Sequence, residues 1–449
     1  MKKNFKRLTA MALCFSMVCF TGCGSDKDNN GEIGETAETD TEGSEIIDSG
    51  FYVEPIEGIT DDFIRGVDIS SYISEKDSGV EFKDFDGNTL SDEEFFNFLA
   101  DCGINWVRVR VWNNPYDKDG NGYGGGNNDV DKAAAIGKLA TNAGMRVLID
   151  FHYSDFWADP AKQQAPKDWA EKTLEDKAKL LNEYTTESLN NLLDAGVDVG
   201  MVQVGNETNN GMAGETDPQK VYTLMKAGCE AIRAISRDIK IAVHYTDPAS
   251  SWFPDMVGNL INAGVDFDVM AVSYYPYWHG TLEELRINLQ KIADTYGKEV
   301  MVAETSYTYT FEDGDGFANA VGKNAEGMEF AYEVSVQGQA NEIRDVMATV
   351  SSVGEKGLGV FYWEPAWLPV QVWTEGSADA SSVYESNRKA WEKNGSGWAS
   401  SYAKEYDPDD AGKYYGGASW DNQAMFAFDG TPLGSLTVFK YIFSGTEYK

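Results

Sequence analysis

Eight short apolar or alternating runs punctuate the sequence, and each is followed by a stretch patterned as an amphipathic helix. The runs are FIRGVDIS (63–70), INWVRVRVW (104–112), MRVLIDFH (145–152), VGMVQVGNE (199–207), IKIAVHY (239–245), FDVMAVSYY (267–275), KEVMVAET (298–305) and GLGVFYWE (357–364). Intervening stretches such as SDEEFFNFLADCG and DVDKAAAIGKLATNAG close on glycine, as a helix C-cap does. Alternating strands and helices specify a parallel α/β sheet, and eight is the number at which such a sheet closes into a (β/α)8 TIM barrel. A doubly wound open sheet is the competing architecture. Against it, no G-x-G-x-x-G follows the first run, and several runs end on polar or aromatic residues.

Those ends carry the functional information. They bear Asp68, Arg110, Trp112, His152, Glu207, His244, Tyr275, Glu304, Trp363 and Glu364. One charged residue ending a strand is usually a satisfied structural group. Carboxylates, histidines and aromatics on nearly all the ends point to one site at the C-terminal mouth of a barrel. Glu207 closes the fourth run and Glu304 the seventh. Two carboxylates across a barrel mouth are suited to breaking a glycosidic bond, one giving a proton and the other attacking the anomeric carbon.

The 449 residues divide into three segments. Residues 1–22 read as a lipoprotein signal: Lys2, Lys3, Lys6 and Arg7 precede a short apolar run that ends in small residues before Cys23. An ordinary secretory signal is the competing reading. With Cys23 lipidated, the membrane is met only through this anchor and the protein lies at the cell surface. Residues 23–61 are acidic and almost free of aromatics, as a disordered tether is, leaving 62–449 as one catalytic domain. Of the five cysteines, Cys102 and Cys229 fall in the domain, where they read as small buried apolar residues. The net charge of −36, from 37 basic and 73 acidic residues, repels phosphate backbones and excludes nucleic acid as a partner. A monomer acting on a neutral polysaccharide is expected.

The motifs FIRGVDISSY, NWVRVRVWNNPYD, GYGGGNNDVDKA, DFHYSDFWADPAKQ, QVGNET, VSYYPYWHG, VAETSY and YWEPAW sharpen this reading. Together and in this order they resemble glycoside hydrolase family 53 of clan A, the endo-β-1,4-galactanases, from about Ile64 to Asp429. The resemblance implies Glu207 as general acid/base, Glu304 as nucleophile, and Asn206 on the sugar 2-hydroxyl. It implies Arg110 holding Glu304 ionised, although Arg108 lies on the same face and the sequence leaves open which approaches closer. Tyr275 would donate to Glu304, His152 would line the adjacent subsite, and Trp157, Trp278 and Trp363 would stack on sugar rings. Asp155 or His152 would meet the axial 4-hydroxyl that sets galactan apart from xylan and glucan.

Two acidic loops resemble metal sites. DKDGNG (117–122) opens like an EF-hand but has no glutamate at the twelfth position, and is read as a turn. EDGDGFANAV (312–321) resembles a family loop in which a structural Ca²⁺ ties the loop after the seventh strand to the loop after the eighth. Asp315, Asn319, the carbonyl near Phe317, and Asp407 or its neighbours are the expected ligands. A xylanase or mannanase of the same clan is the alternative enzyme, and a non-catalytic glycan-binding lipoprotein the alternative outside enzymes.

Overall fold

Residues 52–322 and 327–446 are described by the structure, a computed structural model. The signal-like segment, Cys23 and the acidic stretch through residue 51 lie outside the described residues. Eight strands close a barrel in sequence order: β1 (Ile64–Asp68), β2 (Trp106–Val111), β3 (Arg146–Phe151), β4 (Val199–Val204), β5 (Lys240–Thr246), β6 (Val269–Ser273), β7 (Glu299–Thr305) and β8 (Gly357–Trp363). Neighbours are parallel throughout, including the β1–β8 pair that shuts the ring. The (β/α)8 barrel expected from the sequence is the fold observed.

Local chemistry explains the element boundaries. Helix Asp92–Asp101 starts at Ser91, whose side chain and Glu94 reciprocally cap one another's N–H groups. Thr281 and Glu284 form the same box at helix Leu282–Tyr296, which ends on Gly297 at φ 68°. Helices Val130–Asn142, Leu174–Asp194, Pro218–Ile235, Phe253–Asn262 and Val336–Ser351 make the other crossovers, and Ala380–Asn394 follows β8. Every residue of β2 and β4 is buried, the two arginines of β2 included, because a barrel strand is covered on both faces.

Inside the barrel, Ile64, Trp106, Leu148, Met201, Val269, Met301 and Phe361 make an apolar plug below the mouth. Large and small residues alternate around it. A Cβ on Gly66 would stand 2.2 Å from Phe361 Cδ1, and one on Gly200 would stand 2.3 Å from Trp106 Cη2. Glycine at these positions makes room for the aromatic rings to fill the lumen. Cys102 and Cys229 are buried free thiols, pushed up to about 12 by burial.

The folded part begins before Asp62, earlier than the acidic composition suggests. Val53 and Ile56 are buried, Ile56 N–H donates to Ile442 O at 2.7 Å, and Val53 exchanges hydrogen bonds with Thr446. Two apolar side chains suffice to dock a segment that its charges make look like linker.

Gly66→Ala should destabilise the fold by about 1–3 kcal/mol through overpacking against Phe361. Phe361→Leu in the same chain should recover part of that loss, giving a non-zero coupling in a double-mutant cycle read by urea unfolding.

Candidate active site

The lumen turns polar directly above the plug, and Arg108 of β2 organises it. Its Nη1 meets Asp68 Oδ2 at 2.8 Å, while Nη2 meets Asp150 Oδ2 at 2.8 Å and Glu304 Oε1 at 2.9 Å. The same Nη2 donates to Asn206 Oδ1 at 2.9 Å, and Nε to Gln203 Oε1 at 3.3 Å. Arg108 is 1% exposed. Burial alone would lower its pKa, but Asp150, Glu304 and Asp68 raise it on balance. Asp150 ends below the usual carboxylate range: burial pushes it up, and Arg108 and His152 outweigh that.

Glu304 stands where the regular ladder breaks. The β6–β7 register shifts between Val272 and Ser273, and the β7–β8 register between Val302 and Thr305. Such irregularities re-aim a side chain at a strand end. Tyr275 Oη donates to Glu304 Oε2 at 3.1 Å, so Glu304 is held by a phenol on one oxygen and Arg108 on the other. Burial raises its pKa, with Arg108 opposing.

Glu207 sits just past β4 in a left-handed turn, with φ 87° at Gly205 and 45° at Glu207. This unfavourable backbone is pinned from several sides. Gln163 Nε2 donates to Asn206 O at 2.8 Å and to Glu207 O at 3.3 Å, and Asn209 brackets the Thr246 backbone through both ends of its amide. The asparagines flanking Glu207 therefore lock the turn that aims it. Asn206 Nδ2 donates to Ala158 O at 2.8 Å, and an amide carries a second N–H. Glu207 is pushed well above the usual range by burial and by the charge of Glu304, with a Ser273 hydrogen bond opposing. Arg108 bonds Glu304 directly, so Glu207 holds its proton to higher pH than its partner.

Several expectations are corrected here. Arg110 does not touch Glu304. It pairs with Glu364, donates to Gly125 O at 2.7 Å, and lies over the Trp157 ring at 4.4 Å. Arg108, one pleat repeat deeper in β2, is the arginine level with the nucleophile position. His152 has both ring nitrogens engaged: Nδ1 accepts from Trp112 Nε1 at 3.0 Å and Ala158 N at 3.2 Å. Its Nε2 is thereby the protonated nitrogen and faces Asp150 Oδ2 at 3.0 Å. Asp155 is 1% exposed and accepts from Asn114 N at 2.9 Å and Lys167 N at 2.8 Å, with Lys167 Nζ at 3.2 Å. It straps two loops together and offers no free oxygen to an axial hydroxyl.

Trp157 and Trp363 are partly exposed and 6.1 Å apart, and Trp278 is exposed beside Tyr275. Two further tryptophans come from the long segment after β8. Trp398 O accepts from Trp157 Nε1 at 2.9 Å, and buried Trp420 meets Trp363 edge-on at 5.0 Å. Neither ends a strand, so no periodic signal marks them.

The acidic loop after β7 gathers Asp313, Asp315 and Asp421, with one oxygen of each within 4.8 Å of the others. Asn319 Nδ2 donates to Asp421 Oδ1 at 2.7 Å, while Asn319 Oδ1 is buried with no hydrogen-bond partner. Phe317 N–H donates to Asp315 Oδ1 at 2.7 Å. Asp407, expected here, instead pairs with Lys162 at 3.1 Å and accepts from Asp410 N–H. Asp421 takes its place as the residue from beyond β8. In DKDGNG, Asp117 accepts from the N–H groups of Asp119 and Asn121, the hydrogen bonding of a tight turn.

The sequence profile of Glycosyl hydrolase family 53 matches residues 64–439. The chain belongs to this family. It is 50% identical over 446 residues, 99% of each chain, to the Endo-beta-1,4-galactanase of Bacillus subtilis. It is 35% identical to the Arabinogalactan endo-beta-1,4-galactanase of Cellvibrio japonicus, covering 74% of this chain and 89% of that one. The solved Ignisphaera aggregans GH53 catalytic domain superposes with a TM-score of 0.76 at 34% identity, covering 88% of this family 53 chain and 100% of that chain.

Arg108→Gln should move the acid limb of the kcat/KM pH profile to higher pH, because Glu304 loses the cation that favours its ionised form. Arg110→Lys should leave that limb in place.

Proposed function

We propose that this chain is an endo-acting, retaining β-1,4-galactanase that cuts galactan and type I arabinogalactan, the neutral side chains of pectin, by double displacement. The observation that carries this reading is the carboxylate pair Glu207 and Glu304, set at the ends of β4 and β7 in unequal environments. Glu207 gives its proton to the leaving glycosidic oxygen while ionised Glu304 attacks the anomeric carbon from the opposite face. A glycosyl ester on Glu304 results. Glu207, now ionised, takes a proton from water, which releases the sugar with its configuration retained. The spare Asn206 N–H serves the 2-hydroxyl, and Tyr275 steadies Glu304. Activity falls at low pH as Glu304 protonates and at high pH as Glu207 ionises. Both pKa values are raised, so both limbs lie above the ordinary carboxylate range.

The choice of galactan rests on the relatives named endo-beta-1,4-galactanases. The cleft chemistry agrees with it. The Trp157 and Trp363 rings are tilted 56° to one another, which suits the curved chain that an axial 4-hydroxyl produces. A clan A xylanase or mannanase would share the carboxylates but not GYGGGNND and DFHYSDFWADP. Those motifs supply Gly125 and Trp157 to the cleft wall here. A binding-only protein would have no need of both carboxylates. Purified protein should hydrolyse linear galactan roughly 10³-fold faster than xylan or mannan, with initial products of the β configuration. Comparable turnover of xylan, or α products, overturns the reading.

A structural calcium ion belongs to the same reading. Asp313, Asp315 and Asp421 are hard oxygen donors, the orphaned Asn319 Oδ1 adds another, and the carbonyl near Phe317 would serve as a further ligand. Bound there, the ion would neutralise the buried carboxylates and cross-link the segments after β7 and β8, and would take no part in bond cleavage. Chelation should lower Tm by about 1 °C for each kcal/mol of linkage lost, read by calorimetry. Asp421→Asn should show the lower Tm without chelator and no further response to it.

Residues 1–51 fit a lipoprotein signal and tether, with Cys23 as the anchoring residue and the monomeric domain displayed outside the cell.

A further inference from the structure

A groove of about 530 Å³ lies between the turn Gly120–Gly122 and the helix Ala380–Asn394, outside the catalytic cleft. Arg388, Lys389 and Lys393 line it, with Tyr402 and the amide-bearing Asn121 beside them. Three cations within six residues stand out in a chain with 37 basic and 73 acidic residues. Lys389 and Lys393 face the same side at i, i+4, a spacing at which like charges repel. The carboxylate in the groove, Glu392, is turned to Ser401, accepting from its N–H at 3.0 Å and its hydroxyl at 2.7 Å. Arg388 is paired with Glu385 at 2.8 Å and Glu392 keeps its charge, so Lys389 and Lys393 leave the groove with a net positive charge. Tyr402 is 37% exposed and offers a ring face.

The walls are stitched together and do not depend on an occupant. Gly125 N–H donates to Gly397 O at 2.7 Å, Gly126 N–H to Gly395 O at 2.8 Å, and Ser400 N–H to Tyr123 O at 2.8 Å. The same segment, 395–402, sends Trp398 toward the cleft tryptophan Trp157 and Ser401 and Tyr402 into the groove.

We propose that this groove binds carboxylate-bearing sugar residues, so that an acidic polysaccharide is held outside the cleft while its neutral galactan branch is cut within. Ammonium groups match uronate carboxylates, an exposed tyrosine matches a sugar face, and a rigid open groove matches a polymer. At physiological salt the Debye length is about 8 Å, so the local lysines, and not the overall charge of −36, decide the attraction. Lys389 and Lys393 are both exposed, and a neutral chain has no use for them. The inference rests on the galactanase reading, because it supposes that the branch is the substrate.

Two experiments on the full chain test it. Tetragalacturonate should bind the unmodified protein in calorimetry and should not inhibit hydrolysis of neutral linear galactan. Lys389→Glu/Lys393→Glu should lose that binding and keep its Tm. The same variant should show KM raised about three- to tenfold on galactan still attached to a uronate backbone, with KM on neutral galactan unchanged. No tetragalacturonate binding, competition with neutral galactan, or an equal KM change on both substrates overturns the proposal. Failure of the unmodified protein to cut any galactan overturns the galactanase reading instead, and leaves tetragalacturonate binding as a separate result.

Discussion

One guanidinium sets the terms for the upper half of the barrel. Arg108 is bonded to Asp68, Asp150 and Glu304 at once, and none of the four side chains is more than 9% exposed. A planar fork with five donors suits this task, whereas a lysine would offer a single point charge. Removing such a partner leaves buried carboxylates uncompensated, at a cost of about 3–5 kcal/mol. The arrangement also divides labour between two glutamates of the same chemical type. The one bonded to the arginine is eased toward its ionised form. The other, kept away from it by the turn after β4, keeps its proton.

That division depends on the layers beneath and around it. The apolar plug from Ile64 to Phe361 keeps water from the lower lumen, so the charges above it interact strongly. His152 and Gln203 extend the network sideways, each bonded to Asp150. Outside this shell, the segments after β2, β3 and β8 are fastened to one another through Gly125, Trp157 and Trp398. The cleft wall is thus a joint product of three loops.

How much of this can be read from sequence depends on what decides each residue's place. The barrel was legible because strand and helix periods repeat regularly, and Glu207, Glu304 and Tyr275 because they end or just follow strands. Arg108 and Arg110 share a face, and periodicity gives the face but not the height. The repeat between them is about 7 Å, enough to put one beside Glu304 and the other beside Glu364. Asp155 looked like a cleft residue because its partner, Lys167, lies in an aperiodic stretch. The same reason hid Asp421, Trp398 and Trp420. They belong to a long irregular segment whose path is set by individual hydrogen bonds, such as Trp420 Nε1 to Ser306 Oγ at 2.8 Å.

The docking of Val53 and Ile56 has a geometric consequence. These residues run into the N-terminal end of β1, pairing with Ile442 and Thr446 on the way. Before that, Tyr52 N–H donates to Gln337 Oε1 in the first turn of helix Val336–Ser351, and Arg344, two turns further on, donates to the Glu54 and Pro55 carbonyls. The segment therefore descends the flank of the barrel, from the mouth end of that crossover helix toward the start of β1. Since Thr446 closes on Val53 in the same place, the first and last described stretches secure each other against that helix, and trimming either one would release both.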